Sequence, residues 1–304
     1  MFRLSIPRRT LFRGCLILLG SAVCLQAGMA HAAGNLAESV RALGFKPHKA
    51  LYDIRLSGTK SGSQIVNIAG QMFYEWQPVC DAWTSDHRFN ILYEYADSPP
   101  MRITSDFSTH ETFDGTSFSF SSRRRRDGEV FEELRGYAAI DGDGTGTADY
   151  TMPEGVSFAL PQGALFPMAH SIGMAEAIKA GKTFYSAVIF DGSDEEGPVE
   201  INTFIGKTVD GSSVLEDSPN LDKALLSSPA HEVRLAFFPL EKDTAAADYE
   251  MNLVFHDNGV ISDMEIEYDD FTITQKLIAI EPLEDSCNAL RIPEKTDDDG
   301  AKKG

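Results

Sequence analysis

The chain has 304 residues, 46 of them acidic against 27 basic, a formal charge of −19 at pH 7, and 42% hydrophobic content. Such a charge repels nucleic acid and anionic lipid surfaces, which argues against a nucleic-acid partner. Length and composition suit one large hydrophobic core rather than a fibrous or wholly disordered chain.

Residues 1–32 read as an export signal. Arg3, Arg8, Arg9 and Arg13 form a basic n-region, Cys15 to Leu25 an apolar stretch too short to span a bilayer, and Ala30-His31-Ala32 a cleavage site. Arg8-Arg9-Thr10-Leu11-Phe12-Arg13 resembles a loose twin-arginine signal, with Pro7 where Ser or Thr is usual and Leu11-Phe12 in reversed order. Sec and twin-arginine export both stay open. Neither Cys15 nor Cys24 follows a lipobox, because Arg13 and Val23 stand where small or permissive residues are needed. The expected product is a soluble periplasmic protein with no transmembrane segment. Cleavage after Ala32 removes four arginines and no acid, leaving 272 residues at −23.

Beyond the signal, Leu36 to Leu43 is a short amphipathic helix. From His48 alternation dominates. Tyr52, Ile54 and Leu56 fall on one face of a strand, as do Val233, Leu235 and Phe237, and again Met264, Ile266 and Tyr268, with polar residues between. This pattern gives antiparallel sheet with one wet face. Turn pairs recur at hairpin spacing: Ser57-Gly58, Asp114-Gly115, Asp127-Gly128, Asp191-Gly192, Asp210-Gly211 and Asn258-Gly259. The clearest helix is His170 to Ala180, following Pro167 and closed by Gly181, with Ile172, Ala175, Ala177 and Ile178 as its apolar stripe. A lone helix inside a strand-rich chain is expected to be a plug or lid. Glu294 to Gly304 is a charged tail without apolar periodicity, predicted to be disordered. The organisation expected is a signal over 1–32, one β-rich domain over 33–293 and the tail over 294–304. The fold class is all-β: a barrel, sandwich or partly closed curved sheet.

Two cysteines survive cleavage, Cys80 and Cys287, with no Cys-x-x-Cys and no neighbouring histidine cluster. In an exported chain this points to a disulfide, with two free buried thiols as the alternative. Asp141 to Asp149 imitates the start of a calcium loop, but Met152 stands where the anchoring carboxylate belongs, so a Gly-rich hairpin turn is preferred. Arg123 to Arg126 alternate between faces if the segment is a strand, which predicts an edge or wall strand rather than a continuous basic patch. An anion site for a lipid head group or acidic partner is the alternative.

Six histidines remain: His48, His87, His110, His170, His231 and His256. None sits in His-Glu-x-x-His, and no Gly-x-Ser-x-Gly is present, so neither a zinc hydrolase nor an α/β-hydrolase is supported, and no metal or cofactor is expected. His170, after Phe166-Pro167 at the start of the internal helix, is read as a locally satisfied polar group rather than a base. Asp191, Asp194, Glu195 and Glu196 read as a solvated turn rather than an acid and base pair.

Three segments carry a family likeness: Cys80-Asp81-Ala82-Trp83-Thr84, the run from Leu160 to Pro167 followed by His170, and Phe190-Asp191-Gly192-Ser193. Together they resemble the alphaproteobacterial cell-envelope integrity protein B family over about His48 to Cys287. The resemblance implies a periplasmic protein whose antiparallel strands wind into an open, spiral-like barrel. It also implies a disulfide matching Cys80 to Cys287, a role in keeping the envelope intact under stress, and no known enzyme activity. Ala82 departs from the family, where glycine is expected. The matching positions Asp81, Trp83, Phe166, Pro167, His170, Asp191 and Gly192 become the candidate site.

The function expected is that of a non-catalytic periplasmic scaffold or binding protein, its partner an envelope protein, a lipid or a peptidoglycan fragment. A lipid or lipoprotein carrier is the alternative, because a half-closed barrel with a plug can shelter an acyl chain. An envelope hydrolase ranks below both for want of a motif.

Overall fold

The computed structural model describes residues 36–211, 218–240 and 246–284, all within a compact unit spanning Ala33–Gly304. The export signal, Cys287 and the charged tail lie outside the described residues. Helix α1 (Leu36–Leu43) precedes strands β1 (His48–Thr59), β2 (Ile65–Val79), β3 (Ala82–Tyr95), β4 (Met101–Thr112), β5 (Ser117–Arg126), β6 (Glu129–Ile140), β7 (Gly146–Met152) and β8 (Ser157–Leu160). Helix α2 (Pro167–Lys179) follows, then β9 (Phe184–Ile189), β10 (Val199–Val209), α3 (Lys223–Leu226), β11 (Ala230–Pro239), β12 (Tyr249–His256), β13 (Ile261–Glu267) and β14 (Phe271–Pro282).

The strands form one 14-stranded sheet in the order β8-β7-β6-β5-β4-β3-β2-β1-β14-β13-β12-β11-β10-β9. Two meanders, β1 to β8 and β9 to β14, are joined where β1 pairs antiparallel with β14. The open ends β8 and β9 are consecutive in the chain, with α2 between them. Before α2 the connector bridges to the far edge: Leu165 pairs with Ile189 in parallel, its amide bonding the Val188 carbonyl at 2.9 Å. The sheet is therefore an open antiparallel barrel rather than a sandwich.

Alternation decides which residues enter the core. Along β1, Ala50, Tyr52 and Ile54 are buried while their neighbours keep some exposure, and along β13 Ser262, Met264 and Ile266 do the same. Two apolar clusters result. The larger holds α1, α2, β1 to β3 and the β10 to β14 strands around Ile54, Ile68, Trp76, Leu253 and Met264. The smaller is aromatic and gathers Phe118 and Phe120 of β5, Tyr150 of β7, Phe166 at the start of α2 and Phe190 just after β9.

Several sequence expectations change. Ser57-Gly58 is not a turn: β1 runs through it to Thr59, and an irregularity between Leu56 and Gly58 in the β1–β14 ladder absorbs the glycine. Tyr268 lies just beyond β13, its amide bonding Phe271 across the β13–β14 turn. Helix α2 begins at Pro167 rather than His170, because proline fits the first helical position, where its missing N–H is not needed. The short helix α3, capped by Asp222 through the Ala224 and Leu225 amides, escaped the periodicity search at four residues.

Of the two placements expected for the arginine run, edge or wall, the strand order gives the wall. Strand β5 is interior, and its arginines meet acids on both neighbours. On the outer face Arg123 pairs with Glu133 at 2.8 Å and Arg125 with Asp106 at 2.9 Å, while Arg124 turns to the other face and pairs with Glu132 at 2.8 Å. Arg126 lies over the Phe131 ring at 5.1 Å. Asp141 to Asp149 form the β6–β7 turn, in which Asp143 accepts the Thr145 amide and hydroxyl at 3.0 and 2.6 Å.

Candidate functional site

Strand register defines the inner face of the first meander. One row of cross-strand partners runs Trp76, Ser85, Thr109, Phe120, Gly136 and Tyr150, and the next runs Tyr74, His87, Phe107, Ser122 and Leu134. A third row places Trp83 beside Glu111 and Glu111 beside Phe118. Aromatic rings touch along these rows: Tyr74 to His87 at 4.9 Å, His87 to Phe107 at 5.9 Å, and Trp76 stacked on Trp83 at 5.2 Å. The second meander adds Phe237, Tyr249, Tyr268 and Phe271 in successive contacts of 4.2, 6.1 and 4.7 Å. Tyr74, His87, Phe107, Tyr249, Tyr268 and Phe271 are only half-buried, so this concave aromatic wall keeps contact with solvent.

Helix α2 packs on β9 through Tyr185 and on α1 through Ser39 and Ala42, and is buried through Met168, His170, Ile172, Met174, Ala175 and Ala177. Its N-cap, Phe166, has no side-chain hydrogen bond to offer. The cap comes instead from β4. Glu111, 2% exposed, accepts the Met168 amide at 2.7 Å and the Ala169 amide at 2.9 Å. Burial lifts the Glu111 carboxyl to about 7, although both amide bonds pull it down. His170 stacks on Tyr185 of β9 with ring centroids 5.6 Å apart, and burial lowers it to about 4. Its Nε2 is buried without a hydrogen-bond partner, so the expectation of a locally satisfied ring is wrong at that atom. His87 is likewise pushed down to about 4, burial outweighing the opposing pull of Asp86.

The family-motif residues assemble two joints rather than one centre. Trp83 stacks on Trp76, packs tilted against Phe113 and lies beside the Glu111 that caps α2, while the backbone carbonyl of Asp81, in the β2–β3 turn, accepts the Phe113 amide at 2.9 Å. Phe166 is fully buried against Phe118 at 5.0 Å, and Pro167 and Met168 pass from the aromatic cluster into the larger core. Gly192 packs under Phe120, and Asp191 accepts the Ser193 amide at 2.9 Å to shape the 190–198 loop. That loop crosses the inner face: Arg124 donates to the Ser193 carbonyl at 2.9 Å, and the Tyr150 hydroxyl donates to the Asp194 carbonyl. Cys80 is exposed in the β2–β3 turn at φ 53°, and its expected partner Cys287 lies outside the described residues.

Glu111 was not among the predicted site residues. Its one sequence signal is indirect: the helix after Phe166-Pro167 has no Ser, Thr, Asp or Asn to cap it, so its free amides need an acceptor from elsewhere. A shallow groove of 480 Å³ beside α1 and α3, lined by Leu43, Lys46, Leu225, Ser228 and Asn258, is separate from these joints.

The EipB-like family matches residues 39–284, which is most of the chain. The chain belongs to the EipB-like family. Its relative, the cell envelope integrity protein EipB of Brucella abortus (strain 2308), is 29% identical over 266 residues, covering 86% of this chain and 91% of that protein. Among solved structures, a beta-barrel-like protein of a domain of unknown function from Brucella abortus superposes with a TM-score of 0.72 at 26% identity, covering 79% of this chain and 99% of that one. The EipB-like segment takes in both joints and the whole sheet. No helix among the described residues is long and apolar enough to cross a membrane.

Proposed function

We propose that this chain is a non-catalytic periplasmic binding protein that supports cell-envelope integrity, presenting the concave aromatic wall to an envelope component. The half-buried aromatic row from Tyr74 to Phe107, together with the row of Tyr249, Tyr268 and Phe271 on the second meander, carries the reading. Such rings give contact area at low entropic cost and mark recognition surfaces. The envelope role rests on the likeness to EipB of Brucella abortus. The non-catalytic reading is supported by how the buried ionisable groups are used: Glu111 is spent on helix amides and His170 on a ring stack. The test is complementation of a deletion strain under detergent and cell-wall antibiotic. Wild type should rescue it, and a variant with Tyr74, Phe107 and Tyr268 all changed to Ser should not, at equal abundance. Full rescue by that variant overturns the reading.

A lipid or lipoprotein carrier is the second reading, favoured by the α2 plug over an apolar interior. Organic extraction and mass spectrometry of protein purified from its native compartment distinguishes the two. Stoichiometric co-purifying lipid supports the carrier, and its absence supports binding of a protein or peptidoglycan fragment. Peptide-bond, glycosidic or ester hydrolysis by the purified protein would overturn both.

A further inference from the structure

Helix α2 is docked by two buried ionisable groups of opposite type at its first turn. Both oxygens of Glu111 face the Met168 and Ala169 amides, and His170 is the next residue along. Within the sheet Glu111 is flanked by Trp83 of β3 and Phe118 of β5, both buried, so no charged neighbour faces it there. Its own strand contributes His110, which is exposed. The other ionisable groups of α2 turn toward α1: Glu176 accepts from Ser39 at 3.1 Å, and Lys179 donates to the Ala42 carbonyl at 3.4 Å. Helix α1 itself carries Glu38 and Arg41. His170 is 6% exposed, faces Tyr185 of β9, and its Nε2 has no partner. Burial favours the uncharged form of each group, outweighing at Glu111 the two amide bonds that favour its anion.

We propose that Glu111 and His170 form a compensating pair that keeps α2 seated across a pH range in which either group alone would release it. The inference goes beyond the binding reading and stands or falls separately from it.

Both groups dock consecutive residues of one helical turn, so they reach water in the same opening. For Glu111 the seated value of about 7 lies above the ordinary 4.5, so its contribution to seating is complete below 4.5 and lost as pH rises through 7. For His170 the seated value of about 4 lies below the ordinary 6.5, so its contribution is present above 6.5 and lost as pH falls through 4. Each difference corresponds to about 300-fold in the seating equilibrium, with opposite sign. On acidification the proton that Glu111 keeps when seated offsets the one His170 must refuse.

Hydrogen exchange of the 165–180 segment in the full chain, corrected for intrinsic rates between pH 4.5 and 8, reads the seating directly. Wild type should hold its protection within a few-fold. Glu111→Gln, which keeps an acceptor but cannot ionise, should lose more than tenfold as pH falls from 6.5 to 4.5. His170→Gln should lose more than tenfold as pH rises from 4.5 to 8. A steep wild-type profile, or flat profiles in both variants, overturns the proposal. Should either variant fail to fold, carbon-13 titration of the wild-type Glu111 carboxyl and His170 ring decides. Titration near 7 and 4 supports the pair, and either group titrating in its ordinary range rejects it.

Discussion

The ring of Phe120 fills the space that a Cβ on Gly192 would need, and Gly192 holds the left-handed backbone at φ 66°. The same ring covers Gly136 on the neighbouring strand β6, so one phenyl is clasped between two glycines from distant parts of the chain. Gly192→Ala adds left-handed strain and an overpacked contact, and should lower stability by about 2–4 kcal/mol. Chemical denaturation checks it. A Gly192→Ala/Phe120→Leu double variant should lose less than the sum of the singles, since the smaller side chain frees the space. Strict additivity would mean that backbone strain alone is responsible.

Arg124 should prove to be a loop anchor where Arg123 is a surface ion pair. Arg124 donates to the Ser193 carbonyl and pairs with Glu132 on the inner face, whereas Arg123 meets Glu133 on the outer, solvated face. Arg124→Ala is expected to raise limited proteolysis or hydrogen exchange within residues 190–198 several-fold, and Arg123→Ala to leave that segment unchanged. Equal effects of the two would assign the arginine run a general electrostatic role instead.

Acid should destabilise the fold through its other histidines. Burial depresses His48, His87 and His256, so each is neutral in the folded chain. Between the ordinary value of 6.5 and the His87 value of about 4, the unfolded chain binds more protons than the folded one. The stability these groups contribute is present above 6.5 and lost progressively as pH falls toward 4. His87→Phe, which fits between the rings of Tyr74 and Phe107, should make the acid limb of a thermal-stability profile shallower by about one proton. An unchanged slope would place His87 in water rather than in the wall.

How much of this was legible in the sequence depends on the range of the interaction. Alternation announces Tyr52 and Ile54 on β1, and a short amphipathic stretch announces α1 over Leu36–Leu43, because both signals are local. The same local logic misplaces Ser57-Gly58, where the ladder with β14 carries the strand through a pair that turns elsewhere. It leaves the arginines between an edge and a wall strand, since strand order is set by which meander ends meet and not by any one strand's composition. The motif residues Trp83, Phe166 and Gly192 can be named from sequence, but that they build packing joints is visible only once Phe118, Phe120 and Glu111 arrive from β4 and β5. Glu111 is the extreme case: an acid in a polar strand, given meaning by a helix 57 residues away.

The last expectation is the disulfide between Cys80 and Cys287. His48 stands opposite Trp76 on one side and Pro282 on the other, both pairings antiparallel, so β2 and β14 run the same way past the start of β1. Leu283 still bonds the Pro47 carbonyl at 2.9 Å, and beyond that point β1 no longer separates its neighbours. From Trp76 the chain runs four residues to Cys80, and Pro282 stands five residues before Cys287 in the sequence. Closing a loop of about 200 residues should stabilise the fold by roughly 5 kcal/mol at most on the chain-entropy account. Cys80→Ser, Cys287→Ser and the double variant should therefore lose similar stability, since each lacks the same bond, while sheet content of the folded fraction stays unchanged. Non-reducing peptide mapping of exported protein should find the two cysteines joined, and cytoplasmic protein should yield them reduced. Both thiols alkylating without reductant in exported material would reject the bond. Unequal single variants at undiminished abundance would replace the staple with a reactive cysteine.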